Sequence, residues 1–422
     1  MILIVPTYPT KHARHSAKDL TRHVARKVLL ACFAVVLFLV SGAGFAYHDL
    51  MSQLNRIDVN DMLGSDRPTR AEPATDNYEG QAVNILILGS DTRSGANNVD
   101  NSEGSEDVAV ARSDTAMVLH MSADRSRIDV VSIPRDTLVS IPECTTADGQ
   151  TEPAMEDTQF NAAFANGAGT GSDAAAVGAG VACTIKTVEA LTQVRIDEWM
   201  VVDFNGLSTM VNALGGVPVY VSEDIDDADY TGLVLEAGCH TMDGTMALQY
   251  SRVRHGVGDG SDISRIARQQ NLMSAMLRTA QSKNLLTNAG ELYSFLRSAL
   301  AALTVSETLS LSTLTGLAQS VQAIGMENVN FITMPNEPAS WDANRVVPSA
   351  QAEAVWTALR EDTPVPEESV TVSADGSTPA ATDPAATDPA ATAQEAPTTQ
   401  EQAPATVPSA AATTSDPAAQ CR

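Results

Sequence analysis

The 422 residues carry a formal net charge of −26, with 52 acidic against 26 basic side chains. An acidic excess of that size argues against nucleic acid or an anionic surface as the main partner. The chain is long enough for two domains, yet its composition falls into zones of which only about 80–361 can bury a large core.

Residues 1–27 are basic, with Lys11, Arg14, Lys18, Arg22, Arg26 and Lys27 against Asp19. Residues 28–47 form an uncharged apolar run of 20 residues, enough as a helix to cross a hydrocarbon layer of roughly 30 Å. This predicts a transmembrane helix; a cleaved signal peptide is the alternative, given the small residues from Ser41 to Ala46. The basic flank puts residues 1–27 in the cytoplasm and everything after residue 47 outside the cell membrane, which the chain crosses once. Residues 48–79 read as a polar extracytoplasmic stalk.

From residue 80 the pattern alternates. Strands are predicted at 83–88, 116–121, 127–133 and 199–202. Helices are predicted at 173–192, at 205–214 with Gly215 as its stop, at 245–251, and from the N-cap Ser261 to about 283. Such alternation indicates α/β layers. Residues 362–422 are rich in Pro, Ala, Thr and acidic side chains, with Pro-Ala-Ala-Thr-Asp repeated from Pro379 and Pro384. A segment of that composition cannot bury enough apolar surface to offset its ordering entropy, so a disordered tail is expected.

The five cysteines include none in a Cys-x-x-Cys or Cys/His spacing that suggests zinc. An extracytoplasmic location permits disulfides, and Cys144 with Cys183 is the first choice, closing a Gly- and Ala-rich stretch; Cys239 competes for either partner.

Chemistry-bearing residues collect where strands begin or end. Asp91 and Arg93 follow the strand at 83–88, Arg112 and Asp114 lead into the strand at 116–121, and Arg135 and Asp136 end the strand at 127–133. Each pair alone is ordinary turn chemistry. A fourth block, Arg252-Val-Arg254 followed by Asp262, Arg265, Arg268 and Gln269, makes the set unusual. Beyond residue 27 only Lys186 and Lys283 accompany eighteen arginines, so the positive charge is planar guanidinium, which grips phosphate oxygens in pairs. A helical turn of about 100° per residue puts Asp262, Arg265 and Gln269 on one face, with Arg268 about 60° further round from Arg265 and so expected to be structural.

Guanidiniums with paired carboxylates, and neither a P-loop nor His-Glu-x-x-His, suit a pyrophosphate with bound Mg²⁺. The stretch Asp224-Ile-Asp226-Asp227-Ala-Asp229 has Asp where a calcium loop needs Gly at its sixth position and reads as a solvated acidic loop. His240 and His255 lie near the arginines, but lone histidines beside turns are usually surface or structural groups, and neither is assigned a role.

These residues resemble the LytR-CpsA-Psr family of cell-wall glycopolymer transferases. The matching stretches are Asn84-Ile-Leu-Ile-Leu-Gly-Ser-Asp91-Thr-Arg93, Arg112-Ser-Asp114-Thr, Ser132-Ile-Pro-Arg135-Asp136-Thr, Phe160-Asn161-Ala-Ala-Phe and Val202-Asp203-Phe204 with Gly215-Gly216-Val217. They continue from Gly238 through Tyr250-x-Arg252-x-Arg254 to Asp262-Ile-x-Arg265-Ile-x-Arg268-Gln269-Gln270, covering roughly 80–280.

The resemblance implies an α/β/α sandwich with a central mixed sheet, an apolar groove for a polyprenyl chain, and transfer of a polymer from polyprenyl pyrophosphate to a peptidoglycan hydroxyl. It makes Asp91 and Asp114 ligands of Mg²⁺ (or Mn²⁺), and gives Arg93, Arg112, Arg135, Arg252, Arg254, Arg265 and Gln269 to the pyrophosphate. Asp91, Arg135, Arg252, Arg254 and Asp262 form the expected catalytic set, with Asp262 orienting the arginines or acting as base. Two departures stand out: Gln159 occupies a position often basic in the family, and the chain carries a low-complexity tail where some relatives have a second folded domain. Two other functions remain open: a lipid pyrophosphatase using water as acceptor, and a non-enzymatic wall-binding or regulatory scaffold.

Overall fold

The computed structural model describes residues 13–70, 78–90, 113–171, 173–258, 260–283, 289–373 and 421. The chain divides into two compact units, Met1–Gln53 and Leu54–Arg422. In the first, helix α1 runs unbroken over Ala13–Gln53. From Arg26 onward it is long and apolar enough to cross a membrane, and its large apolar side chains from Val28 to Tyr47 are exposed.

The second unit is built on an eight-stranded mixed sheet. Its strands are β1 (Asn55–Ile57), β2 (Val83–Ser90), β3 (Ser113–Met121), β4 (Ile128–Ile133), β5 (Glu198–Asp203), β10 (Leu303–Ser306), β11 (Val329–Thr333) and β12 (Val370–Ser373). Strands β6 (Val217–Val221), β7 (Ile225–Asp227), β8 (Leu233–Leu235) and β9 (Gly238–Met242) form two small antiparallel pairs, β6 with β9 and β7 with β8. The large sheet runs β1-β10-β5-β2-β3-β4-β11-β12. Its pairs β1/β10, β5/β2 and β4/β11 are parallel and the others antiparallel.

Helices cover both faces of the sheet. On one, α2 (Ala174–Thr192) and α6 (Ala350–Arg360) bury Leu86, Leu88, Val118, Val131, Ile133 and Trp199 in the main core. On the other lie α3 (Phe204–Ala213), α4 (Gly244–Arg252) and α5 (Asp262–Ser282), with a second core around Val211, Val219, Tyr250 and Leu272. Burial on both faces explains why β4 is buried at every position rather than alternating. Asp173, Asp203, Asp243 and Ser261 each cap the helix that follows, their side-chain oxygens accepting a backbone N–H of the first turn.

The domain is wider at both ends than 80–361. Residues 54–70, expected as stalk, add β1 to the sheet edge and bury Val59 and Leu63 in the main core. Arg67 forks onto the buried carboxylate of Glu189 (Nη2 to Oε1, 2.6 Å), so a specific ion pair fixes this stretch in addition to its few buried apolar side chains. Tyr78 likewise donates its hydroxyl to Glu198 at 2.6 Å. At the other end β12, within the expected tail, pairs with β11. Most of the tail, 374–420 and 422, lies outside the described residues.

Cys144 and Cys183 form a disulfide that ties a short strand to α2, as expected. Cys239 of β9 is bonded to Cys421, a pairing that spacing left open. Replacing Cys144 and Cys183 together by alanine is expected to lower the unfolding free energy by about 3–4 kcal/mol, because the bond closes a long loop in the unfolded chain. Urea titration of the oxidised protein and the variant measures it; coincident midpoints would contradict it.

Candidate functional site

Pro134 ends β4 and turns the chain so that Arg135 follows the strand directly, beside the start of β3. Asp114 lies in β3 between residues that face Gly89 and Ser90 of β2. Ser261 caps α5, whose first turn carries Asp262, a favourable place for a carboxylate at the positive end of the helix dipole. Arg252 closes α4, and Arg254 lies in the connection between α4 and α5.

Asp262 is the hub of the resulting cluster. Its Oδ2 accepts the backbone N–H of Arg135 at 3.0 Å, and its Oδ1 accepts from Arg265 Nη2. The same Oδ1 is 3.6 Å from Arg135 Nε and 3.9 Å from Arg254 Nη2. Asp114 accepts from Arg135 Nη1 at 2.9 Å, and its backbone carbonyl accepts from Arg265 Nη2 at 2.8 Å. Gln269 donates to the carbonyl of Ser251 at 3.2 Å and accepts from Thr115 Oγ1 at 3.1 Å, so the second turn of α5 is fastened to both β3 and α4.

Donors nevertheless exceed acceptors. Arg135 Nε, Arg254 Nη2 and Arg265 Nε are buried without a hydrogen-bond partner. Burial first, then the guanidiniums of Arg265 and Arg135, lower Arg254 to about 10, against the opposing pull of Asp114 and Asp262. For Arg135 burial acts downward as well, but the carboxylates of Asp114, Asp136 and Asp262 outweigh it and raise it. Arg254 and Arg135 remain cationic at neutral pH, and an anion among the three guanidiniums would relieve both the repulsion and the unmet hydrogen bonds.

The structure thus brings together Asp114, Arg135, Arg252, Arg254, Arg265 and Gln269 on one cavity, with Asp262 behind them. Asp91, Arg93 and Arg112 lie outside the described residues. Arg268 is buried and donates to the carbonyl of Val253 at 2.6 Å, the structural position its helical offset suggested. With its amide turned so that the oxygen faces Arg345, Gln159 accepts from Arg345 Nη1 at 2.8 Å, and Arg345 also stands 3.8 Å from Asp136. A cation therefore sits beside position 159 although the residue there is neutral. Among the described residues no three His, Cys, Asp or Glu side chains cluster as a ready-made metal site. Of the two expected metal ligands only Asp114 lies among the described residues, where its carboxylate accepts from Arg135; Mg²⁺ is held typically by one or two carboxylates together with substrate phosphate oxygens.

The whole cavity, arginines included, measures about 740 Å³ and extends between the sheet and α5. From the polar end it follows Met117 and Leu119 along β3 and Val130 and Ile128 back along β4, facing Leu272, Met273, Met276 and Leu277 of α5. Met200 and Met210 add to the wall. Methionine is unbranched and adaptable, which suits a wall against a flexible apolar chain.

The cavity lining also includes groups to which the sequence assigned no role: Asp227, Tyr230, Thr231 and His255. The acidic stretch 224–229 is not uniformly solvated, since Asp227 is buried at the end of β7 while Asp226 is exposed.

The LytR_cpsA_psr family model matches residues 47–361. The chain belongs to this family. It is 31% identical over 315 residues to a probable cell wall biosynthesis protein, LcpB, of Corynebacterium glutamicum, covering 73% of this chain and 66% of that protein. It is 28% identical over 263 residues to the polyisoprenyl-teichoic acid–peptidoglycan teichoic acid transferase TagU of Oceanobacillus iheyensis, covering 62% and 72%. The chain spans 66% and 62% of the length of the two Corynebacterium relatives it matches, LcpB and LcpA. Among solved structures, a LytR-Csp2A-Psr enzyme from Actinomyces oris superposes with a TM-score of 0.52 at 20% identity, covering 73% of this chain and 96% of that one. At that identity the likeness establishes the shared fold, a mixed sheet between helices.

Proposed function

We propose that the protein is a Mg²⁺-dependent phosphotransferase that moves a glycopolymer from a polyprenyl-pyrophosphate carrier to a peptidoglycan hydroxyl, leaving a phosphodiester link in the cell wall. The observation that carries this reading is one cavity of about 740 Å³ with two chemistries: under-satisfied guanidiniums in one part of its lining and apolar side chains along the rest. That pairing fits an amphiphile with a compact polyanionic head and a long hydrocarbon chain, each buried CH₂ contributing about 0.8 kcal/mol. Membership of the family and relatives named as teichoic acid transferases support the same class. Helix α1, with its basic flank inside, would hold the domain outside the membrane where lipid carrier and wall meet.

In the proposed step the acceptor oxygen attacks the sugar-linked phosphorus in line, the bridging P–O bond breaks, and polyprenyl phosphate leaves. Arg135, Arg252, Arg254 and Arg265 neutralise the charge that grows on the phosphoryl and bridging oxygens, with Arg93, Arg112 and Gln269 as further contacts to the pyrophosphate. Asp262, whose two oxygens already accept from Arg135 and Arg265, orients these groups. Asp91 and Asp114 would hold the metal, which supplies further neutralisation of the pyrophosphate.

The full-length protein in lipid nanodiscs, given a geranylgeranyl-pyrophosphate-linked disaccharide and uncross-linked peptidoglycan, is expected to yield muropeptides carrying the disaccharide through a phosphodiester. Chelation should stop the reaction and Mg²⁺ or Mn²⁺ restore it. Soluble disaccharide phosphate as sole product would make the protein a hydrolase, and no turnover with unchanged polymer binding would make it a scaffold.

A further inference from the structure

The cavity lining contains a carboxylate–imidazole pair that binding a pyrophosphate does not require. The Asp227 side chain is fully buried, and its Oδ2 accepts from Thr231 Oγ1 at 2.6 Å. Its Oδ1 is buried without a hydrogen bond and lies 3.4 Å from His255 Nδ1. The imidazole stacks on the ring of Tyr230, centroids 3.6 Å apart and planes at 19°, while about half of the His255 side chain, 52%, stays open. His255 directly follows Arg254, and both line the cavity.

Gly256 explains why the ring rests there. Its φ is +60°, and a Cβ would come within 1.9 Å of the Asp226 carbonyl oxygen. Asp226 in turn donates its N–H to the Gly256 carbonyl at 3.3 Å. Only a residue without a side chain lets the chain beyond Arg254 lie against β7, with His255 over Asp227.

An ionised carboxylate is an acceptor only, so Asp227 Oδ1, 3.4 Å from Nδ1, favours the tautomer that carries the proton on Nδ1 and leaves Nε2 to accept one. We propose that His255 is the general base that takes the proton of the acceptor hydroxyl, with Asp227 as its positioning residue. This rests on the transfer reading above. The acceptor oxygen forms the new bond to the sugar-linked phosphorus, its proton passes to His255 Nε2, and the bridging P–O electron pair leaves on polyprenyl phosphate. The imidazolium is balanced by Asp227 and returns its proton to solvent after product release. The groups facing the ring are Asp227 and Tyr230, with the Arg254 and Arg252 cations on the same cavity wall. Asp262 is less suited to the role because its oxygens are already committed to Arg135 and Arg265.

The test uses the full-length protein in nanodiscs with the geranylgeranyl-pyrophosphate-linked disaccharide and uncross-linked peptidoglycan. His255→Ala is expected to lower turnover about 100-fold or more, with retention of the lipid-linked donor in native mass spectra unchanged and turnover partly restored by added imidazole. Asp227→Asn is expected to lower turnover about tenfold or more without loss of donor binding. Roughly wild-type turnover by His255→Ala, or a loss that imidazole does not restore, would overturn the assignment. If the wild type transfers and Arg254→Ala does not, while His255→Ala remains active, the base assignment fails alone; a wild type that cannot transfer removes the underlying reading as well.

Discussion

Substitution of Arg254 by alanine is expected to reduce transfer onto peptidoglycan by about two to three orders of magnitude, the usual cost of removing one preorganised group at developing charge. Arg254 has the attributes such a group needs. It is partly buried, its Nη2 is without a hydrogen-bond partner, and among the described residues it pairs with Asp262 only at 3.9 Å. Its protonated form is disfavoured by burial and by Arg265 and Arg135, so an incoming pyrophosphate removes an existing electrostatic penalty as well as adding hydrogen bonds. Arg254→Lys should recover only part of the loss, since an ammonium keeps the charge but not the planar fork. Because few of the contacts of Arg254 are internal, its alanine variant should melt close to the wild type. Wild-type transfer rates with Arg254→Ala would exclude the arginine cluster as the reaction site.

Asp262→Ala is expected to do more, removing activity and lowering stability together. The carboxylate is 7% exposed and Arg265 4%, so its removal leaves a buried guanidinium uncompensated and the Arg135 N–H without its acceptor. Breaking a buried pair costs roughly 3–5 kcal/mol. Arg135 and Arg254 open partly to the cavity and can be solvated there, so about 2–3 kcal/mol is the expected loss, read as a shift of the urea midpoint. Asp262→Asn, which keeps an acceptor for the Arg135 N–H, should be less destabilised yet as inactive. An Asp262→Ala variant that unfolds at the wild-type midpoint would show that the arginines do not depend on this hub.

Much of the site was legible in one dimension because its members lie in short blocks with local geometry. The offsets of Asp262, Arg265 and Gln269 put them on one helical face, and the extra turn to Arg268 sent it inward to the Val253 carbonyl. The four strands and four helices expected along 83–283 followed from apolar periodicity and from caps such as Ser261, whereas β6 to β9 between 217 and 242 did not. The domain limits did not, because residues 54–70 join through Arg67–Glu189, a three-residue edge strand and a few buried side chains such as Val59 and Leu63, too sparse to make a periodic apolar pattern.

His255 marks the sharper boundary between the two kinds of information. Beside Arg254 in the sequence it is one more histidine near a turn; in the fold it has a buried carboxylate at 3.4 Å and an aromatic ring beneath it. Asp227 likewise read as one of several solvated acids. Composition, spacing and periodicity by themselves determined the apolar N-terminal helix, the α/β layering and the guanidinium-rich character of the site, since each depends on neighbours within a few residues. Tertiary structure alone decided which carboxylate serves as the hub, that the cavity behind the arginines is apolar, and that His255 acquires a partner. Those outcomes depend on β3, β4, β7, α4 and α5 meeting in space, and on a glycine at 256 small enough to let two of the backbones touch.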